Sequence, residues 1–115
     1  MTKLNSALSG NTIMLILKLL EEKDMYGYQI IEELSKRSGY AFQLKTGTLY
    51  PILHGLEKDG MVLSYDDHAD NQRVRKYYQL TGHGRELLVK KRAQWQTYTK
   101  AVSNVLNGGA DYAFS

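Results

Sequence analysis

The sequence predicts a mainly helical protein with one small β-hairpin. Apolar residues recur at helical spacing in three segments before residue 60 and again in one long segment after residue 82. Between them, two short segments rich in Val, Tyr and Leu flank a polar interval, which is the pattern of two paired strands. With 115 residues, 43% of them hydrophobic, the chain can bury one modest core, so we expect one domain with an extension.

Two amphipathic helices are predicted in the first third of the chain. The first carries its apolar stripe at i, i+3, i+4 and i+7, as Ile13, Ile16, Leu17 and Leu20. Ser9 or Asn11 can cap it, and residues 1–10 are expected to form an N-terminal arm that is loose or a short helix. The second helix covers MYGYQIIEELSKRSG, and Gly39 is suited to end it because glycine readily adopts the left-handed conformation that follows many helices.

The segment 46–60, TGTLYPILHGLEKDG, predicts a third helix with one packing face and one free face. Its apolar stripe consists of Leu49, Ile52, Leu53 and Leu56. The side chains away from that stripe include Thr48, Tyr50, His54 and Lys58. Thr46 or Thr48 can cap the helix, and Asp59 with Gly60 ends it. Such a free face suits a recognition helix that reaches base edges and phosphates in the DNA major groove, and an ordinary amphipathic surface helix is the alternative.

A β-hairpin is predicted after the third helix. Its strands are expected at 61–65 and 74–80, and the sequence between them, DDHADNQ, has the composition of a loop. Three helices followed by a hairpin is the element order of a winged helix-turn-helix, in which the hairpin lies along the DNA backbone beside the recognition helix. Three cations of the hairpin are positioned to meet phosphates in such a fold, namely Arg73, Arg75 and Lys76.

A long helix capped by Thr81 is predicted for the C-terminal part of the chain. Its stripe alternates steps of four and three residues, as in a heptad repeat, through Gly84, Leu88, Lys91, Trp95, Tyr98, Val102 and Val105. Because the preceding domain offers little surface to cover such a helix, we expect it to pair with the same helix of a second copy. The residues expected at that homodimer interface are Leu88, Trp95, Val102, Val105 and Leu106. The predicted organisation is a DNA-binding domain over 1–81, a dimerisation helix over 82–107 and a flexible tail over 108–115.

Composition narrows the class of function. The pI of about 9.1 favours an acidic partner, although the excess charge is concentrated in the last helix, where 82–106 holds five Lys and Arg against one Glu. The sequence has no Cys, which is compatible with a reducing cytoplasm. It has neither an apolar run long enough to span a membrane nor a signal-peptide pattern, so we expect a soluble cytoplasmic protein.

Three stretches together match a known pattern: MYGYQIIEEL at 25–34, GTLYPILHGLEKDGMV at 47–62 and RVRKYYQLTGHG at 73–84. In these stretches the chain resembles the PadR-like bacterial transcriptional regulators in their short form. The resemblance implies a winged-helix fold and a dimer formed through the long C-terminal helix. It also implies, as in most members, repression of transcription until a small molecule or another signal releases the protein from DNA.

The resemblance further implies which side chains contact double-stranded DNA. Those of the recognition helix are Thr48, Tyr50, Pro51 and His54. Tyr26 at the start of the second helix is added to them, with Arg73, Lys76 and, by its position, Arg75 in the hairpin. For Tyr26 the alternative is a tyrosine that packs between elements. For His54 the alternative is an ordinary surface histidine, but its position beside Tyr50 and Lys58 favours contact with bases or phosphates.

Trp95 is predicted to form a pocket for a flat aromatic small molecule at the dimer interface. A tryptophan is bulky for a tightly packed helix pair, and Lys91 and Tyr98 lie one turn away on the same face. Short PadR-like proteins that sense drugs or dyes are similar in carrying a tryptophan at the middle of this helix. The range 87–106 contains no Asp or Glu, so such a site should prefer neutral or anionic aromatics unless the first helix supplies a carboxylate. The alternative is that Trp95 only packs the interface.

An enzyme is not expected. The sequence has no Cys, no G-x-S-x-G motif and no P-loop, and no histidine stands beside a recognisable nucleophile. The acidic run Asp66, Asp67, His68 and Asp70 lacks the glycine placement and further ligands of a calcium loop, so no metal or other cofactor is expected. Two alternatives to a ligand-released repressor stay open: a winged-helix regulator without a small-molecule ligand, and a helical dimerisation module that does not bind DNA.

Overall fold

A computed structural model describes residues 2–70 and 73–108, with side chains described over 10–68 and 73–108. Within these ranges, four helices pack around a small antiparallel sheet. In chain order the elements are α1 (Thr2–Glu22), β1 (Met25–Tyr26), α2 (Gly27–Arg37), α3 (Thr46–Lys58), β2 (Val62–Asp70), β3 (Arg73–Leu80) and α4 (Gly82–Leu106). This order confirms the predicted mainly helical fold with a hairpin after the third helix and a long helix at the C-terminal end.

The core lies where α1, α2 and α3 pack against the inner face of the sheet. Its fully buried side chains include Ile16, Leu17, Met25, Ile30, Leu49, Leu53, Val62, Tyr78 and Leu88. Burying an aliphatic side chain of this kind stabilises the fold by roughly 1.5–3 kcal/mol relative to leaving it exposed. The apolar stripes predicted for the first three helices therefore do face the core, with Ile13 and Ile52 packed at its margin.

The beginnings of the helices differ from the prediction more than their ends. Helix α1 starts at Thr2, so residues 2–10 continue the first helix, and neither Ser9 nor Asn11 caps it. Helix α3 starts after Lys45, which makes no side-chain capping hydrogen bond, so the caps predicted at Thr46 and Thr48 are wrong. A capping side chain must accept from the backbone two or three residues further on, and α3 begins without one.

The predicted helix ends are confirmed. Gly39 follows α2 with φ 61°, and Gly60 follows α3 with φ 76°, both in the left-handed region where a side chain would strain the backbone. At the start of α4, the Thr81 hydroxyl accepts a hydrogen bond of 3.0 Å from the Gly84 N–H, as predicted for the cap. The same Thr81 oxygen lies 2.7 Å from the Gly60 carbonyl oxygen, which joins the end of α3 to the start of α4.

The sheet contains one strand that was not predicted. Strand β1 is only two residues long and pairs with β3 through Met25 opposite Tyr78 and Tyr26 opposite Tyr77, which gives the order β1-β3-β2. The hairpin strands also extend further than expected, because β2 continues through the predicted loop to Asp70 with an irregular register after Asp67. Residues 71–72 lie outside the described part of the chain.

Helix α4 leaves the core after its first two turns. Gly84 and Leu88 are buried, whereas from Arg92 onwards most side chains are exposed, and the described part of the molecule measures 64 × 28 × 23 Å. Residues 109–115 of the predicted tail lie outside the described residues. None of the described helices is long and apolar enough to cross a membrane.

Candidate nucleic-acid interface

Helix α3 presents one exposed face to the surroundings. Thr48, Pro51 and His54 are exposed along it, while Leu49 and Leu53 on the opposite face are completely buried. The three exposed residues are spaced three apart, which places them in one row along the helix. A rigid helix anchored through its inner face can therefore offer this row to another surface without rearrangement.

Tyr50 is held by the neighbouring helix instead of extending freely. It is half-buried, and its ring lies against Gly27 at the start of α2. A Cβ atom added at Gly27 would collide with the Tyr50 hydroxyl and lie 2.7 Å from its Cζ, so only glycine permits this approach. In the sequence, Gly27 occupies one position of the apolar stripe of the second helix, and spacing alone gives no sign of such a contact.

Tyr26 takes part in an aromatic and cationic cluster. Its ring meets that of Tyr77 edge to face, with centroids 5.4 Å apart and an angle of 77° between the planes. The guanidinium carbon of Arg75 lies 4.3 Å from the centroid of the Tyr26 ring, which is a cation–π contact. These contacts support the alternative that the Tyr26 ring packs between elements. The residue also lines the cleft described below.

The three hairpin cations do not share one face of the sheet. Alternation along β3 puts Arg75 on the same face as Tyr77, whereas Lys76 shares the face of buried Tyr78. Arg75 stands opposite Asp67 in the ladder and Lys76 stands opposite Asp66, so the local positive charge is partly offset. Arg73 and Lys76 are exposed, and Arg75 is half-buried.

A cleft between α2, α3 and the hairpin brings five of the eight predicted DNA-contact residues together. It encloses about 450 Å³ and is lined by Tyr26, Gly27, Tyr28, Tyr50, Arg73, Val74, Arg75 and Lys76. We call it the hairpin cleft. The other three predicted residues lie on the exposed row of α3. Tyr28 was missed by sequence reasoning, although it is 67% exposed and lies beside the predicted Tyr26 at the start of α2.

Contacts below the cleft fix the hairpin against α3. The Ser64 hydroxyl donates a 2.6 Å hydrogen bond to a carboxylate oxygen of Glu57 near the end of α3. Burial raises the pKa of Tyr78, and nearby Tyr50 and Glu57 raise it further, so this tyrosine stays neutral and structural. The base of the hairpin is thus part of the core, while its outer half extends away from it.

A second candidate site lies between α1 and the middle of α4. A groove of about 410 Å³ is lined by Gly10, Asn11, Met14, Lys91, Gln94, Trp95 and Tyr98, so all three residues predicted for a ligand pocket are found together. We call it the Trp95 groove. The rings of Trp95 and Tyr98 are 6.1 Å apart, and Trp95 is 40% exposed. Among the lining residues that the structure describes, none is a carboxylate, and Lys91 is the charged one.

The residues predicted for dimerisation divide into two groups. Leu88 is 1% exposed because it packs into the core of its own protomer, so it has no surface left to offer a partner. Val105 and Leu106, in contrast, are 76% and 79% exposed at the end of α4, and Val102 is half-buried. In the side chains that the structure describes, no group of three or more His, Asp or Glu is arranged to hold a metal ion.

Comparison with known proteins adds family evidence to this geometry. The chain matches the family model described as "Transcriptional regulator PadR-like family" over residues 16–90. It is 33% identical over 99 residues to an uncharacterised protein of Lysinibacillus sphaericus, covering 86% of this chain and 91% of the relative. It is also 32% identical over 87 residues to a transcriptional regulator of Mycobacterium tuberculosis, covering 76% of this chain and 78% of the relative.

Solved structures share the fold. A transcriptional regulator from Clostridium thermocellum superposes with a TM-score of 0.80 at 29% identity, covering 86% of this chain and 96% of the other. A PadR family transcription regulator from Clostridium difficile R20291 superposes with a TM-score of 0.71 at 34% identity, covering 83% of this chain and 97% of the other. Each superposition covers more than four fifths of this chain.

Proposed function

The chain belongs to the PadR-like family of transcriptional regulators, whose members are not enzymes, and from this premise we propose that it is a homodimeric repressor that binds an inverted-repeat DNA operator. A flat aromatic small molecule that binds at the Trp95 groove releases it from that operator. A regulator of this kind meets its operator in the cytoplasm. The observation that carries the proposal is the exposed row of α3 beside the cations of the hairpin cleft.

Shape and chemistry support a division of labour within that surface. A B-DNA major groove admits one α-helix, and side chains on the entering face reach the base edges. Thr48, Pro51 and His54 are the exposed side chains of α3 that are suited to this role. Arg73 and Lys76 extend from the hairpin beside them, where cations bind phosphates and add affinity that does not depend on sequence.

The end of α4 supports the dimer. Val105 and Leu106 are large apolar side chains left exposed in one protomer, and Val102 precedes them by one helical turn. Pairing two copies of this surface through a two-fold axis would bury it. A two-fold dimer presents two copies of α3, so the operator should be an inverted repeat with half-sites about one or two helical turns apart.

The lining of the Trp95 groove favours a ligand that is neutral or anionic. Trp95 and Tyr98 offer aromatic surface, and Lys91 offers a cation, and the described part of the lining holds no carboxylate. A planar molecule that is neutral or anionic satisfies these groups, whereas a cationic one would bring charge to a site without a counter-ion. A second copy of α4 would narrow the groove from its open side.

The function is tested by fluorescence anisotropy with a duplex selected from a random-sequence pool, at several salt concentrations. For a DNA-binding regulator, the logarithm of the binding constant falls linearly with the logarithm of the salt concentration. Lys76→Ala should reduce that slope by about one unit and weaken specific and random duplexes alike. Lys100→Ala removes the same charge from the exposed surface of α4 and is the matched control.

His54→Ala tests the sequence-reading part of the proposal. His54 is exposed, and its replacement removes one ring contact, to Tyr50 at 6.3 Å between centroids, whereas Tyr50 is also held against Gly27 and is a less clean probe. The variant should lose discrimination between the selected and a random duplex while keeping the salt slope. A protein that binds no duplex at low salt would instead be the dimerisation module considered above.

A further inference from the structure

The hairpin is attached to the rest of the sheet over a very short distance. Strand β1 has two residues, whereas β2 has nine and β3 has eight. Only Tyr77 and Tyr78 of β3 are paired with β1, so the outer part of the hairpin has no third strand beside it among the described residues. Backbone pairing alone is therefore a weak restraint on the direction in which the hairpin extends.

Asp24 supplies a side-chain restraint at this point. It directly precedes β1, and its Oδ2 accepts a 2.6 Å hydrogen bond from the Tyr65 hydroxyl on β2 and a 3.2 Å hydrogen bond from Gln79 Nε2 on β3. The hydrogen bond to this carboxylate raises the pKa of Tyr65 to about 12, so the hydroxyl keeps its proton at neutral pH. One carboxylate oxygen thus joins both strands of the hairpin to the chain that enters β1.

A row of rings continues from this hydrogen bond across the outer face of the sheet. Tyr65 stacks on Tyr77 with centroids 5.8 Å apart and an angle of 15°, and Tyr77 meets Tyr26 edge to face. Arg75 then lies over the Tyr26 ring in the hairpin cleft. The row therefore connects Asp24, which cannot itself bind phosphate, with the cationic part of the hairpin.

We propose that Asp24 is a positioning residue for DNA binding, which sets the direction of the hairpin through Tyr65 and Gln79 and so brings Arg73 and Lys76 to the phosphates. This inference rests on the proposed function, because the direction of the hairpin affects binding only if the hairpin meets DNA. The Asp24 carboxylate acts by geometry alone, since its own charge repels the DNA backbone.

The length of the hairpin makes its direction important. From Tyr65 to the end of β2 at Asp70 is five residues, or about 17 Å at roughly 3.3 Å per residue. A tilt of about 10° at Tyr65 would then move the tip, where Arg73 stands opposite Asp70, by about 3 Å, which is as long as a hydrogen bond. A hairpin without the restraint would spend less time in the orientation that contacts phosphate.

The experiment uses the full chain with three variants and two measurements. Tyr65→Phe removes the hydroxyl without changing charge, Asp24→Ala removes the acceptor, and Asp24→Asn removes the charge but keeps an acceptor oxygen. Amide hydrogen exchange of β2 and β3 without DNA reports the restraint itself, and anisotropy with the selected duplex reports its consequence. Tyr40→Phe, in the exposed connection between α2 and α3, is the matched control for loss of a hydroxyl.

Faster exchange confined to the hairpin is expected for Tyr65→Phe and Asp24→Ala, with α2 and α3 unchanged. Both variants should bind the selected duplex about three- to tenfold more weakly, the range for one lost hydrogen bond. Combining them should weaken binding no further than Asp24→Ala alone, because that variant already lacks the acceptor of the Tyr65 hydrogen bond. The affinity of Asp24→Asn for the selected duplex should stay within about twofold of that of the unmodified protein. The affinity of Tyr40→Phe should equal that of the unmodified protein.

Three results would overturn the inference. The first is unchanged hairpin exchange in both Tyr65→Phe and Asp24→Ala. The second is weaker binding by Tyr65→Phe alone, which would mean that the hydroxyl contacts DNA directly. The third is faster hairpin exchange in both variants with unchanged binding of the selected duplex, which would mean that the direction of the hairpin does not affect DNA binding. If the unmodified protein binds no duplex, the proposed function fails, while hydrogen exchange still decides whether Asp24 restrains the hairpin.

Discussion

Gly84→Ala should destabilise the protein at the joint between the hairpin and α4. A Cβ atom at this position would collide with the carbonyl oxygen of Met61 and lie 2.5 Å from Cδ1 and 3.1 Å from Cγ of Leu80. The Met61 carbonyl is backbone and cannot rotate away, so α4 has to move. That movement also disturbs the hydrogen bond from the Gly84 N–H to Thr81, which caps the helix.

The magnitude follows from three contributions. Overpacking a well-filled site costs about 1–3 kcal/mol, and loss of a helix cap costs about 1 kcal/mol. Replacing glycine by alanine in a helix returns up to about 1 kcal/mol. The free energy of unfolding should therefore fall by about 1–3 kcal/mol, measured by urea denaturation followed by circular dichroism.

Gly82→Ala is the matched control, because it introduces the same methyl group two residues earlier in α4, where nothing lies within 4 Å of the added Cβ. The free energy of unfolding of Gly82→Ala should stay within about 0.5 kcal/mol of that of the unmodified protein. If Gly84→Ala were as stable as Gly82→Ala, the close approach of α4 to Met61 would not exist in solution. Since the proposed dimer would gain stability with concentration, both variants are compared at one protein concentration.

Three further predictions concern the dimer, the ligand and pH. Replacing Val102 and Val105 together by Asp should convert the proposed dimer to monomers in sedimentation velocity. Unpaired charge buried at an interface costs about 3–5 kcal/mol. An intact dimer would place the interface elsewhere. Titration with neutral or anionic planar aromatics should quench the fluorescence of Trp95, and a lack of quenching by any of them would exclude the pocket. The Arg37 guanidinium donates to both carboxylate oxygens of Glu22 at 2.6 and 2.9 Å and lowers the pKa of that carboxyl. The stability that this ion pair contributes is fully present above the ordinary pKa of glutamate and is lost as pH falls through the lowered pKa. Arg37→Gln should therefore have a lower free energy of unfolding than the unmodified protein at neutral pH and the same free energy of unfolding in strong acid.

The family motifs anticipated much of the candidate interface but not its internal contacts. Tyr26, Tyr50 and Lys76 were all predicted as DNA contacts, and the structure brings them into one cleft. It also shows Tyr50 resting on Gly27, a contact that no local pattern encodes. The DNA-binding roles stay predictions, and the packing of these residues determines which substitutions test them cleanly.

The sequence by itself determined the features that depend on neighbouring residues. The apolar periodicity of α1 and α3 predicted which side chains face the core, and Leu17 and Leu53 are completely buried there. Gly39 and Gly60 ended their helices as predicted, because left-handed backbone at a helix end favours glycine whatever the rest of the fold is.

Only the tertiary structure decided which partner each surface meets. Strand β1 has no sequence signal in its two residues, since it exists through pairing with Tyr77 and Tyr78, more than fifty positions later. Leu88 and Val105 belong to the same predicted heptad stripe, yet one is 1% and the other 76% exposed. Periodicity defines a face of a helix, but what covers that face depends on where α1 and the core end in space, and this is fixed by contacts between residues distant in the chain.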